Sequence, residues 1–211
     1  MRFGRQLAAC VAAAALAAAE TPAPLGTAPF SVNEAGEPGN RAPLIKAWRR
    51  APLDAEFAGA WVVAGDLNGD GAVEIVSARN VDRDDVHYTS AVAAHRLDGT
   101  VLWRWGNPKI GRKKLHHDVA CQIYDWDGDQ RQEVIVCTEG FLVELDGPTG
   151  KERRRLPLPK EATDCLVFAN LSGNSRPTDV LVKTRYTHIW AFSREWKQLW
   201  EIGRASCRER V

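Results

Sequence analysis

Short apolar runs broken by acidic, glycine-containing loops recur three times along the chain. In the first unit AWVVAG is followed by DLNGDGAVE, IVSAR and SAVAAHRLDGTVLWRW. In the second ACQIY is followed by DWDGDQRQE, VIVCT and GFLVELDGPTGKERRRL. In the third CLVFA is followed by NLSGNSRPTD, VLVKT and HIWAFSREWKQLWE. Within these runs Val, Ile and Leu alternate with polar residues, the period-two pattern of strands with one buried face. Leu97-Asp98-Gly99-Thr100 and Leu145-Asp146-Gly147-Pro148 are hairpin signals. The loops open at Asp66, Asp125 and Asn170, so their spacings are 59 and 45 residues. Insertions near Asn80–His87 and Gly106–Lys114 account for the longer first spacing. Four short strands per unit of about 40–45 residues fit a β-propeller blade. The pattern predicts an all-β chain of about three four-stranded blades, at 58–106, 117–157 and 163–201. A β-sandwich accommodates the strands but explains the repetition less well. Closed propellers carry about four to eight blades, so the expectation is a partial propeller, truncated before ring closure.

The two ends read differently from the middle. MRFGRQ, then LAACVAAAALAAA, gives a basic start, an apolar run and a small-residue end, which predicts a cleaved secretory signal over residues 1–19. That run is too short for a comfortable membrane span, and Cys10 precedes most of it, which argues against a lipoprotein signal. Residues 20–57 are rich in Pro, Ala and Gly and read as a linker. The last ten residues, IGRASCRERV, read as the translation of a sequencing adapter, so no functional role is expected for Cys207 or the arginines around it.

Charge and composition narrow the function classes. The two ends contribute five Arg and one Glu to the 28 basic and 27 acidic residues, so the middle carries net −3. A mildly acidic secreted or periplasmic domain suits cation binding. It gives no reason to expect nucleic acid, or a membrane span once the signal is removed. Three cysteines remain, Cys121, Cys137 and Cys165, so at least one is unpaired in an oxidising compartment. Cys121 and Cys137 flank the second acidic loop symmetrically and could pair if its strands are antiparallel.

The acidic loops carry the chemistry. Side-chain oxygens recur at Asp66, Asn68, Asp70 and Glu74, and again at Asp125, Asp127, Asp129 and Glu133. A hard cation such as Ca²⁺ takes about six to eight oxygen ligands, and Gly69 and Gly128 permit the tight turn that aims alternate residues inward. An EF-hand also begins this way, but its twelfth position should be Glu; here that position is Ser77 or Val136. Without an ion, acids packed so closely repel one another, although Asp/Asn/Gly loops also form plain turns. In the third unit Asn170, Ser172 and Asn174 replace the carboxylates, so little metal binding is expected there.

At DLNGDGAVEIV and DWDGDQRQEVIV the sequence resembles the FG-GAP (VCBS-type) repeat family, which implies a propeller whose loops hold calcium. AHRLDGTVLWRW, LHHDVACQIYDWDGD and NLSGNSRPTDVLVKTRYTHIWAFSREWKQLW resemble, more narrowly, the rhamnogalacturonan lyases of polysaccharide lyase family eleven. That resemblance covers roughly Trp61 to Trp200 and implies a calcium-containing propeller acting on pectin by β-elimination. Calcium would neutralise the uronate carboxylate and a basic side chain would take the α-proton. Lys113, Lys114, His116, His117 and Lys183 are candidates for that base. No extended N-terminal β-domain is visible, which departs from a complete lyase.

Two functions follow as expectations. The first is a calcium-binding repeat module with a binding or scaffold role in a larger polysaccharide-related protein, its partner an acidic polysaccharide or a protein ligand. The second is a rhamnogalacturonan lyase. A quinoprotein-like propeller, suggested by LDGTVLW, fits the acidic loops poorly. Trp103, Trp105, Trp190, Trp196 and Trp200 read as packing between units rather than sugar stacking. The run Arg153-Arg154-Arg155 reads as a solvated outer strand.

Overall fold

The computed structural model describes residues 50–83, 86–110, 115–116, 120–159 and 161–203, all within the compact unit Ala47–Val211. The signal, most of the linker and the last eight residues lie outside them.

The described residues form strands and turns without a helix. The strands are β1 (Trp61–Gly65), β2 (Glu74–Arg83), β3 (Val86–Arg96), β4 (Val101–Gly106), β5 (Leu115–His116), β6 (Cys121–Tyr124), β7 (Glu133–Thr138), β8 (Phe141–Asp146), β9 (Glu152–Pro157), β10 (Cys165–Ala169), β11 (Asp179–Lys183), β12 (Ile189–Phe192) and β13 (Gln198–Ile202). Each repeat unit folds as one antiparallel meander: β1-β2-β3-β4, β6-β7-β8-β9 and β10-β11-β12-β13, with β5 added beside β2. The insertion near Asn80–His87 is not a loop. It lengthens β2 and β3 through a bulge at Arg79/Asn80 and gives β5 its partner residues, Asn80 and Val81.

The pleat sends alternate residues to opposite faces, and the second sheet uses both faces. Cys121, Val134, Val136, Val143 and Leu145 pack against Val76, Ala78, Val92, Ala94 and Trp103 of the first sheet. Ile135, Cys137 and Leu142 pack against Leu166, Val180, Val182, Trp190 and Phe192 of the third. The same alternation decides the cysteine question. Cys121 lies opposite Val136 in the ladder, so Cys121 and Cys137 point to opposite faces and form no disulfide with each other. The pairing considered from their symmetric placement does not form. Burial pushes the Cys121 thiol up to about 12 and raises Cys137 as well, which makes both inert packing groups.

Most of the tryptophans are packing residues. The Trp103 indole donates to the Gly147 carbonyl at 2.7 Å, Trp126 to Thr178 at 2.8 Å and Trp196 to Pro157 at 2.8 Å. Trp190 lies in the second core, and Trp105 packs against the first. Gly150 is required twice over: its φ is +67°, and a Cβ there would sit 2.4 Å from the Trp103 ring.

The two outer faces differ. On the first sheet Ser77, Arg79, His95 and Arg104 face away from the core and are met by residues 54–59. The Asp54 N–H donates to His95 Nε2 at 2.8 Å, Arg104 pairs with Asp54 at 2.8 Å, and Arg79 donates to the Glu56 carbonyl at 2.8 Å. Residues 54–57, read from the sequence as the end of a linker, are therefore bonded to the first sheet. On the third sheet the outer face is apolar. Leu171, Leu181 and Ile189 stand at the register positions that Trp126, Ile135 and Leu142 occupy on the second sheet, and Leu171 and Ile189 are exposed.

Candidate functional site

The acidic loops connect the first two strands of each sheet and share one skeleton. The last acid of each loop opens the second strand, buried, and accepts a backbone N–H from the loop's second residue. Glu74 takes Leu67 N–H at 2.9 Å, Glu133 takes Trp126 N–H at 2.8 Å, and Asp179 takes Leu171 N–H at 2.7 Å. The third loop is one residue longer and its acid one methylene shorter, yet the latch is kept. Leu67 and Trp126, so held, are fully buried.

In the first loop the remaining acids fold onto the loop itself. Asp66 Oδ1 accepts from Gly69 at 2.7 Å and its Oδ2 from Gly71 at 2.8 Å; Asp70 Oδ1 accepts from Ala72 at 2.8 Å. The Gly71 N–H, above all, with those of Gly69, Asp70 and Asn68, holds the Asp66 carboxyl below the usual carboxylate range, against the opposing effect of desolvation. Asn68 Oδ1 accepts from the Asp70 N–H at 2.9 Å.

The second loop keeps these caps, Asp125 accepting from the Gly128 N–H at 2.7 Å and from the Gln130 N–H at 3.2 Å, and adds a cluster. Asp125, Asp127 and Glu133 bring carboxylate oxygens within 4.8 Å of one another, the one such acidic group among the described residues. Oxygen ligands of a hard cation lie at about 2.3–2.6 Å from it, so these three fit a calcium ion as part of its shell. Asp129, exposed, accepts from the Arg131 N–H at 2.8 Å. Burial, helped by the nearby Asp127 and Glu144, pushes the Glu133 carboxyl up to about 7, opposed by the Trp126 N–H and by Arg153.

Arg153 is the feature that the sequence pattern hid. It is not a freely solvated outer residue. Its guanidinium lies 2.9 Å from Glu133, 3.3 Å from Asp127 and 3.2 Å from Asp146, and Arg176 reaches Asp125 at 3.6 Å. The strand explains the reach. All three sheets carry a bulge between their third and fourth strands, at Ala94/His95, Glu144/Leu145 and Ala191/Phe192. The extra residues are Leu102, Arg153 and Leu199. A bulge re-aims its side chain, and in the second sheet it aims a cation at the acids. Arg154, next in line, pairs with buried Glu144 at 2.6 Å and lies 4.2 Å over the Trp126 ring. Arg155 pairs with Glu152 at 2.7 Å.

A cleft of about 220 Å³ opens at the other end of the strands from the acidic loops, where the second strand of a sheet turns into the third. It is lined by Val86, His87, Glu161, Asp164 and the β11–β12 turn, Thr184–Thr187. Lys183, one of the sequence candidates, donates to Asp164 Oδ2 at 2.6 Å, and Asp164 Oδ1 lies 2.8 Å from His87 Nδ1. Lys113, Lys114 and His117 lie outside the described residues. Of His116 only the backbone is described, paired with Asn80.

Comparison with known proteins places these sheets. The sequence model of the rhamnogalacturonan lyase family 11 C-terminal domain matches residues 53–149, a stretch that holds both acidic loops. The chain is 36% identical over 80 residues to rhamnogalacturonan endolyase YesW of Bacillus subtilis (strain 168), covering 35% of this chain and 13% of that one. It is 35% identical, over the same shares, to rhamnogalacturonan exolyase YesX of the same organism. The crystal structure of BBS1N in complex with ARL6DN, soaked with lead, superposes with a TM-score of 0.45 at 16% identity, over 72% of this chain and 45% of that chain, too loose a likeness to bear on function. The chain thus resembles polysaccharide lyase family eleven over its first sheet and most of its second, and its match spans 13% of the length of the curated relatives.

Proposed function

We propose that this chain is a stretch of a larger, secreted rhamnogalacturonan lyase, in which the three sheets are successive propeller blades and the acidic loops hold calcium. The observation that carries the reading is the family match across both acidic loops. The apolar outer face of the third sheet supports the blade arrangement, because it repeats the pattern of the face that the third sheet itself covers on the second. The first 19 residues support secretion.

Calcium, when bound, would supply positive charge among Asp125, Asp127, Asp129 and Glu133, and more weakly among Asp66, Asn68, Asp70 and Glu74. The protein's own residues hold the loops ready for it: the Glu133 latch fixes the turn, and Gly128 allows the curl, with φ +86°. A scaffold or ligand-binding role for the propeller is the second reading, favoured by the neutralisation of the second loop by Arg153, which lets that loop stand without an ion.

The test is a rhamnogalacturonan digestion by the full-length protein that contains this chain. We expect unsaturated uronate at the new chain ends, and loss of that product in EDTA with recovery on adding calcium. An active enzyme indifferent to EDTA would remove calcium from the reading. A folded protein that releases no product would leave the scaffold role.

A further inference from the structure

The sequence holds a single asparagine–glycine pair, Asn68-Gly69, in the first acidic loop. Such a pair can react with itself. The peptide nitrogen of the second residue attacks the side-chain amide carbon of the first, and a glycine there has no Cβ to obstruct the approach. Both residues are exposed, and nothing lies within 4 Å of where a Cβ of Gly69 would stand. The loop brings the reacting parts together. Asn68 Oδ1 accepts from the Asp70 N–H at 2.9 Å. The ring closed by this bond contains both Asn68 Cγ and the Gly69 nitrogen, and the bond draws electron density from Cγ. Asn68 Nδ2 donates to Asp70 Oδ2 at 3.0 Å, so Asp70 holds the amide at both of its polar atoms. The Gly69 N–H donates to Asp66 Oδ1 at 2.7 Å, which gives its proton a carboxylate to leave to.

The other described asparagines lack this set. Asn107 precedes Pro108, which has no N–H to lose. Asn80 is buried inside β2 and precedes the β-branched Val81. Asn170 precedes Leu171, whose N–H is already latched to Asp179 at 2.7 Å. Asn174 precedes Ser175, whose Cβ crowds the approach. In the second loop the matching pair is Asp127-Gly128, and an ionised carboxylate is a far poorer electrophile than an amide.

The geometry points to Asn68 as a site of spontaneous deamidation in the folded chain. A bond forms between the Gly69 nitrogen and Asn68 Cγ, and the Gly69 proton passes by way of Asp66 to the leaving amine. The Cγ–Nδ2 bond breaks, ammonia departs and a cyclic imide remains. Water then opens the imide at either carbonyl, leaving aspartate or isoaspartate at residue 68. The aspartyl product places an acid where the second loop has Asp127, one of the three carboxylates gathered there. The first sheet presents Leu102 where the second presents Arg153, so the new charge meets no guanidinium. Deamidation thus turns a loop bonded to itself into an acid-rich loop without a resident cation. That the modified loop leans more on calcium rests on the calcium reading above; the deamidation itself does not.

Incubation of the full chain in mildly alkaline buffer without metal, with peptide mapping by mass spectrometry at intervals, tests this. We expect an acid at residue 68 before an acid at any other asparagine, as a mixture of aspartate and isoaspartate. An acidic shift on isoelectric focusing should accompany it. Asn68→Gln should abolish the early acidic form, because glutamine must close a larger, slower ring. Asp66→Asn should slow the conversion in native buffer and leave it unchanged in urea, where the loop contacts are gone. Asn68 intact in native buffer while it converts in urea would overturn the proposal, as would earlier conversion at another asparagine. A folded Asp66→Asn chain converting as fast as the parent would do the same. The consequence for the ion is read separately, by thermal unfolding. Asn68→Asp should show a larger calcium-induced rise in unfolding midpoint than the parent chain. Equal rises, with Asn68 converting on schedule, would remove the calcium consequence and leave the deamidation standing.

Discussion

The first and second acidic loops have the same length, the same glycine and the same buried latch, yet they solve the problem of their charge in different ways. Both loops cap their own backbone, Asp66 at Gly69 and Gly71 and Asp125 at Gly128 and Gln130. The second loop gathers three carboxylates and sets Arg153 against two of them. Two residues make the difference: the second loop has Asp127 where the first has Asn68, and the second sheet has Arg153 where the first has Leu102. Leu102 packs against the apolar core and cannot neutralise anything. The repeat therefore fixes the latch, while the neutralising charge depends on what each bulge presents.

The largest contrast should appear at the residue behind each latch. Trp126 is fully buried, donates to Thr178 and packs edge-on against Phe168 and Trp196. Trp126→Ala should cost about 4 kcal/mol and Leu67→Ala about 3 kcal/mol in urea denaturation. A larger loss at Leu67 would reverse the ranking of the two loops. Next come the latches themselves. At pH 7, Glu133→Ala removes the Trp126 bond and the nearest of the three carboxylates around Arg153, for about 3 kcal/mol. Glu74→Ala strands only a buried N–H, for about 2 kcal/mol. Equal losses would mean that Arg153 contributes nothing to the second loop.

The contrast was only half legible in the sequence. The strands, their order within each unit and the three four-stranded sheets follow from period-two alternation and the loop repeat, because both are local. The loop residues were visible for the same reason. Arg153 was not, because its role depends on a bulge in β9 and on a partner 20 residues earlier in the chain. From sequence alone, three arginines in a row on an outer strand look like a solvated face. The cysteines misled in a similar way: symmetric spacing about a loop ignores the pleat, which places Cys121 and Cys137 on opposite faces. The cleft was the least legible, since His87 and Asp164 lie 77 residues apart and meet only after two sheets have packed. Lys183 was the one signal of it.

Arg153→Met sharpens the comparison directly. It keeps the stem that packs along the strand and removes the charge. Without metal, the second loop should lose about 1–2 kcal/mol, as three close carboxylates are left to repel. With calcium the order should invert: the ion no longer competes with a resident guanidinium, so the calcium-induced rise in unfolding midpoint should be larger in the variant than in the parent chain. Identical calcium responses would mean that Arg153 and the ion do not share a site.

The smallest effect is one of sign. Burial raises the Glu133 carboxyl from 4.5 to about 7, so between those values the folded chain holds this proton more tightly than the unfolded chain does. Stability from this group therefore falls as pH rises from about 4.5 to about 7. Asp66 runs the other way. Its carboxyl lies below the ordinary 3.8, so its contribution is present above that value and is lost as pH falls through the lowered one. Glu133→Gln removes the first slope and leaves the second. In EDTA, the stability of the Gln variant minus that of the parent should therefore rise steadily from pH 4.5 to 7, with the acid limb below pH 3.8 unchanged. A flat difference would mean that Glu133 enters the folded state already ionised, held so by Arg153. The second loop would then be a closed ion pair, with no carboxyl to spare for calcium.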